Sequence, residues 1–189
     1  MSKYLVLVND EKRLPDNFED NIDIITIHNY LGEEYMVEKN TYEAFINLSK
    51  DIFEDDGIRL DLDSAYRTIN KQEQIYEKYL NKYGQEYTEK YLAAPGHSEH
   101  HTGLAIDVGI VIDEKFYRTE EELLSLDHIF EIVHKKLAEY GFILRYPKGK
   151  ESITKIGYEP WHFRYIHFTD IAKEIADKEI CFEEYLKQT

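Results

Sequence analysis

Residues 95 to 109 read "PGHSEHHTGLAIDVG" and crowd His97, His100 and His101, three of the chain's eight histidines, into five positions. Asp107 follows, separated from them by Thr102, Gly103 and a short apolar run. Imidazole nitrogen and carboxylate oxygen are both zinc ligands, and two histidines with one carboxylate leave a fourth position for water, the ligand count of a catalytic centre. A fully extended chain from His100 to Asp107 would span over ~20 Å at about 3.3 Å per residue. Two ligands of one ion each lie only about 2 Å from it. The chain must fold back between them, and Gly103 is the residue that permits a sharp turn. Geometry does not choose between His100 and His101, and the stretch taken alone reads equally as a loop of solvated histidines.

A second stretch, "YEPWHFRY" at 158 to 165, supplies what the first lacks. His162 and Arg164 share one parity of a strand-like run, opposite Trp161, Phe163 and Tyr165. Glu159 precedes His162, and Pro160 discourages a helix at Glu159. A glutamate beside a metal site can take a proton from water whose pKa the metal lowers. The two stretches together hold two histidines, an aspartate, a free glutamate and an open metal position, the parts of a zinc hydrolase. A third stretch, "SAYRTINKQ", puts Arg67 at a strand-to-helix junction. Gln72 falls on the same helical stripe as Ile69, Tyr76, Tyr79 and Tyr83. A polar residue there needs a partner, either a core hydrogen bond or a ligand. An arginine near such a centre can anchor a carboxylate or a developing oxyanion.

These residues need a scaffold. "YLVLV" (4 to 8) and "IDIITI" (22 to 27) read as strands, and "IRLDLDSAY" as a strand with Asp61 and Asp63 on a solvated face. "TYEAFINLSKDIFEDDG" predicts a helix with Tyr42, Phe45, Ile46, Leu48, Ile52 and Phe53 near one face, stopped by Gly57. Thr68 caps a second helix that Gly84 ends. In "GLAIDVGIVI" the large residues Leu104, Ile106, Val108 and Ile110 share one parity. Ala105, Asp107 and Gly109 share the other, kept small as if for an approaching ligand. "EELLSLDHIFEIVHKKLAEYG" predicts one amphipathic helix, with His128 and His134 as partly buried or surface residues. "FILRY" and "WHFRYI" follow as strands, and the chain closes in helices. The expected fold class is α+β, a small, mostly antiparallel sheet with packed helices.

With 189 residues the chain is expected to form one domain, 1–189, with a sizeable core. Its 23 basic and 38 acidic residues give a net charge of −15 with no basic run, which argues against nucleic acid and anionic membranes as partners. No segment approaches the ~20 apolar residues of a membrane span, and the five-residue run near the start is shorter than a signal peptide's ~7–15. The expectation is therefore a cytoplasmic protein; its oligomeric state is not readable. Cys181, the single cysteine, reads as a small buried hydrophobe.

Ser98-x-His100-x-x-Gly103-x-Ala105-x-Asp107 followed by Glu159-x-Trp161-His162 resembles the signature of the zinc D-Ala-D-Ala peptidases, closest to the VanY and VanXY branch. The similarity continues through "SAYRTINKQEQIY" and "YGFILRYPKGKESITKIGYEPWHFRYI" and covers most of residues 58 to 186. The resemblance implies the zinc-peptidase fold of that family and one Zn²⁺ per chain on His100, Asp107 and His162. It also implies Glu159 as catalytic base and Arg67 as oxyanion partner, with Ser98 and Gln72 holding the terminal D-Ala. Relatives often carry glutamine where His101 stands. The implied substrates are peptidoglycan precursor peptides ending in D-Ala-D-Ala, cut by a D,D-carboxypeptidase with possible D,D-dipeptidase activity of the kind found in vancomycin resistance. Two alternatives remain: an L,D-carboxypeptidase or phage-type endopeptidase, and a non-catalytic zinc-stabilised module like the distantly similar Hedgehog domain. Retention of both Glu159 and Arg67 favours the enzyme.

Overall fold

In a computed structural model that describes residues 2–188, the chain begins with a 3-10 turn, Lys3–Leu5, and an extended segment that joins no sheet. This corrects the strand expected at 4 to 8. The carbonyls of Tyr4 and Val6 accept from the buried Arg164 guanidinium at 3.2 and 2.8 Å, so a side chain takes the place of a ladder. β1 (Ile24–His28) and β2 (Glu34–Glu38) form an antiparallel hairpin, the second strand unanticipated. α1 (Lys39–Asp56) buries Phe45, Leu48 and Ile52 and ends at Gly57 in the left-handed region. Ile46 and Phe53 are exposed, so its apolar stripe is narrower than expected.

β3 (Arg59–Ser64) leads through Thr68, whose side chain accepts from the Lys71 amide, into α2 (Ile69–Tyr83), and α3 (Gln85–Tyr91) follows Gly84. β4 (Ala105–Ile112) and the short β5 (Lys115–Tyr117) come next. The helix expected over 121 to 141 is two, α4 (Glu120–Ser125) and α5 (Asp127–Leu137), broken at Leu126. Thr119 and Glu122 form a capping box that starts the first of them. β6 (Phe142–Leu144), α6 (Glu151–Thr154), β7 (His162–Tyr165), α7 (Thr169–Asp177) and α8 (Phe182–Gln188) complete the chain.

The main sheet runs β3-β4-β7-β6, with β5 also paired to β4, and every pairing is antiparallel. β4 is its centre. Leu104, Ile106, Val108 and Ile110 are 0–1% exposed, each burial worth roughly 1.5–3 kcal/mol. They pack with Phe45, Leu48, Phe130 and Phe163 in one core, which fixes the opposite face, and Asp107 with it. Gly109 is small for a reason other than a ligand: a Cβ there would run into the Phe116 ring and stand 2.6 Å from the Tyr117 carbonyl, both on β5. Cys181 is free and buried.

Candidate active site

The β4–β7 register sets Asp107 directly opposite His162. Cross-strand partners project from the same face of a sheet, and Asp107 Oδ1 lies 2.9 Å from His162 Nδ1. His100 arrives from outside the sheet, on the 3-10 turn Glu99–Thr102. Ser98 Oγ caps that turn by accepting from the His100 amide at 3.4 Å, and Gly103, at φ 68°, reverses the chain into β4. His100 Nδ1 donates to the Ala65 carbonyl at 2.7 Å. Its Nε2 lone pair then faces Asp107 Oδ2 at 3.1 Å. The two imidazoles meet edge to face with centroids 5.0 Å apart. One ligand atom from each of the three residues lies within 4.8 Å of the others.

This donor set fits a zinc ion. Asp107 Oδ1 is buried without a hydrogen-bond partner despite its closeness to the His162 ring, and a bare buried oxygen costs about 1–3 kcal/mol. Ligands about 2.0–2.2 Å from a tetrahedral zinc stand roughly 3.3 Å from each other, near the separations seen here. The electrostatics agree. Burial, with Arg67 adding to it, pulls His100 down to about 4. Burial opposes the charge on His162 too, but the nearby Asp107 and Glu99 carboxylates outweigh it and lift the ring to about 9. The carboxylates around the ring thus favour positive charge at the centre of the cluster, the electrostatic setting a cation requires.

Glu159 Oε2 lies 3.5 Å from His162 Nδ1, on the turn before β7. Burial, reinforced by Asp107 and opposed by His162 and Arg67, pushes its pKa up to about 8. A carboxyl titrating near neutrality suits proton transfer in both directions. Arg67 donates its amide to the His100 carbonyl at 3.1 Å, and its Nη2 stands 3.5 Å from Asp107 Oδ2. Gln72, fully buried, accepts from Arg67 Nη1 at 3.0 Å and donates to the Ala93 carbonyl at 2.8 Å. Both ends of that amide are engaged within the protein, one of them on the guanidinium.

Arg67, Gln72, Ser98, His100, Asp107, Glu159 and His162 all border one cavity of about 310 Å³, at the small end of ligand sites. His101 does not face it. Its Nδ1 donates to the Arg67 carbonyl at 2.7 Å and its Nε2 accepts from the Gly96 amide at 3.1 Å, tying the loop to the strand end. His97 bonds the Asn9 carbonyl at 2.7 Å. Several residues of the site escaped the sequence reading. Asp63 borders the cavity and pairs with Arg118 at 2.5 Å instead of facing solvent. The Tyr146 ring packs 4.7 Å from that of His162, and Glu99 is buried behind His162. Charged residues inside apolar strand runs, "FILRY" and "WHFRYI", were the available signal for Glu99's partners.

The model of the VanY family, described as D-alanyl-D-alanine carboxypeptidase, matches residues 34–168, a span that contains the three candidate ligands, Glu159 and Arg67. The chain belongs to the VanY family. A relative is the bifunctional D-Ala-D-Ala dipeptidase and D-Ala-D-Ala carboxypeptidase VanXYC of Enterococcus gallinarum, 38% identical over 167 residues, 85% of this chain and 80% of that protein. A VanY D,D-pentapeptidase variant from a VanB-type vancomycin-resistance cassette, solved with Zn(II), superposes with a TM-score of 0.79 at 27% identity, covering 98% of this chain and 99% of that one. The L,D-carboxypeptidase LdcB aligns at TM-score 0.76 and 33% identity over 97% of this chain and 86% of that one. The VanY fold is therefore the α+β architecture expected, and the chain is an enzyme of the carboxypeptidase class.

Proposed function

We propose that this VanY-family enzyme binds one zinc ion through His100 Nε2, Asp107 and His162 Nδ1 and hydrolyses the terminal D-Ala-D-Ala bond of peptidoglycan precursor peptides. The observation that carries the proposal is the register pairing of Asp107 with His162, with His100 folded back onto them and Glu159 alongside at the cavity wall. Zinc held there supplies Lewis acidity to the scissile carbonyl and acidifies the attacking water. Glu159 takes the proton from that water as its oxygen bonds to the carbonyl carbon. The Arg67 guanidinium, held in place by Gln72, receives the charge that develops on the carbonyl oxygen. Glu159 then passes its proton to the leaving nitrogen as the C–N bond breaks, giving free D-Ala and a shortened peptide acid. Ser98, at the cavity wall, contacts the terminal carboxylate, and Gln72 acts chiefly through Arg67.

Dipeptidase activity is the second half of the proposal. A free dipeptide brings an ammonium group, and the cavity wall includes two carboxylates to face it, Asp63 and Glu120. Free D-Ala-D-Ala exists only before it joins a precursor, so this half carries a cytoplasmic location with it. A non-catalytic module has no use for a partly buried Glu159 at the cavity wall beside the three candidate ligands, which disfavours that alternative.

The test incubates the zinc-loaded protein with D-Ala-D-Ala, a pentapeptide ending in D-Ala-D-Ala, and a tetrapeptide with an L-to-D terminal bond, and measures released D-Ala. Release from the pentapeptide is expected, and release from the dipeptide supports the second half. Release from the tetrapeptide alone would move the enzyme to the L,D class.

A further inference from the structure

Glu99 precedes His100 in the chain and is 1% exposed. Its Oε1 accepts from Arg145 Nε and Arg164 Nη1, both at 2.8 Å. Arg145 in turn makes a two-pronged contact with Glu183 on α8, at 2.8 and 2.6 Å. Two guanidiniums and two carboxylates thus neutralise each other in the interior, with both arginines wholly buried. Burying such a set is at best weakly stabilising compared with apolar packing, so its position asks for another explanation. Glu99 Oε2 supplies one. It has no hydrogen-bond partner, and the atom facing it at 3.7 Å is His162 Nε2, which is also buried and also unpartnered.

We infer that Glu99 is a positioning residue for the metal centre: its free oxygen receives the Nε2 proton of His162 and so aims the ring's Nδ1 at the ion. The inference rests on the reading that His162 ligates through Nδ1. A neutral imidazole that ligates through one nitrogen carries its proton on the other, and the hydrogen bond made there sets the tautomer. The arginines occupy Oε1 and leave only Oε2 for the ring. A glutamine cannot replace this carboxylate in either orientation. One way round, its NH₂ meets the ring N–H. The other way, its NH₂ meets the two guanidiniums.

The experiment measures affinity for zinc ion alone by chelator competition in the wild type and in Glu99→Gln, Glu183→Gln and His162→Ala. Glu99→Gln should bind zinc about 10–100-fold more weakly. Glu183→Gln removes the same charge from the same buried set without facing the ring, so it should lose thermal stability but keep zinc affinity within about twofold. Equal weakening in both glutamine variants, or none in Glu99→Gln, would overturn the inference. Wild-type affinity in His162→Ala would instead overturn the ligand assignment beneath it. Nitrogen-15 spectra of the wild-type imidazoles provide a readout that survives any folding failure of the variants. The zinc-loaded protein should show His162 protonated at Nε2 with a slowly exchanging, strongly deshielded proton. Protonation at Nδ1 would sink the proposal.

Discussion

At the scale of single residues, the proposed chemistry is divided between Glu159 and Arg67, two side chains held in different ways. Glu159 sits on a turn, close to His162 but with no place in the triad, so its carboxyl is free to gain and lose a proton. Glu159→Gln should leave zinc content and fold unchanged and slow turnover by about 10²–10⁴-fold. Single-turnover D-Ala release on metal-assayed protein checks this, and near wild-type turnover would mean that another group handles the proton. Arg67 is held by a fork, one arm toward Gln72 and one toward Asp107. An ammonium cannot span both. Arg67→Lys should lower kcat by about 10–10²-fold with KM less affected, since the contact matters most as negative charge develops. Unchanged kcat would reduce Arg67 to a structural cation.

At the scale of elements, the turn that carries Glu159 is tethered from behind by α5. His134 Nε2 donates to the Pro160 carbonyl at 2.8 Å, and its ring stacks on Phe130 and meets Phe163 edge-on. His134→Phe keeps the ring volume but strips the buried carbonyl of its donor, at a cost of about 1–3 kcal/mol. Burial lowers the pKa of His134 below 6.5 in the folded state. The folded protein therefore resists protonating it, while the unfolded chain takes up a proton once pH falls through about 6.5. The stability that neutral His134 contributes is complete above that pH and is lost as pH falls toward the lower folded value. Denaturant titrations should show a gap between wild type and His134→Phe that is constant near neutrality and narrows in acid. A gap that holds steady well below pH 6 would show that His134 is not kept neutral by the fold.

For the whole molecule, the proposed metal centre stands on a core built from apolar packing and strand pairing. β4 is buried by its own apolar parity, and β7 is paired on both edges, by β4 and β6. Removing zinc should leave secondary structure intact, unlike in a domain that folds around its metal. Binding to the folded state alone still adds stability by mass action, about 2.7 kcal/mol at a hundredfold excess over Kd. For a chain of this length that corresponds to a rise in Tm of roughly 5–10 °C. Thermal melts with and without chelator test this. Loss of the far-ultraviolet spectrum on chelation would make the metal structural. Acid should release zinc before it unfolds the chain, because the histidine ligands must be neutral to bind.

The sequence by itself determined which residues could carry the proposed chemistry and much of their local frame. His100, Asp107, His162, Glu159 and Arg67 were legible because ligand types, a turn-forming Gly103 and an alternating strand are properties of short windows. Thr68 and Gly57 were legible as helix ends for the same reason. Residue spacing left open which of two adjacent histidines turns toward Asp107; the resemblance implied His100, and tertiary structure supplies the reason, the Ala65 carbonyl holding one ring and the Arg67 carbonyl the other. It also decided that residues 4 to 8 serve Arg164 instead of a sheet, that Gly109 accommodates Phe116, and that Asp63 turns to Arg118. Above all it placed Glu99 behind His162, through charges drawn from the turn before β4, the residue that follows β6, the strand β7, and α8. Hydrophobic periodicity records which face of an element is buried, but a buried charge is satisfied by a partner far along the chain, and only the fold brings the two together.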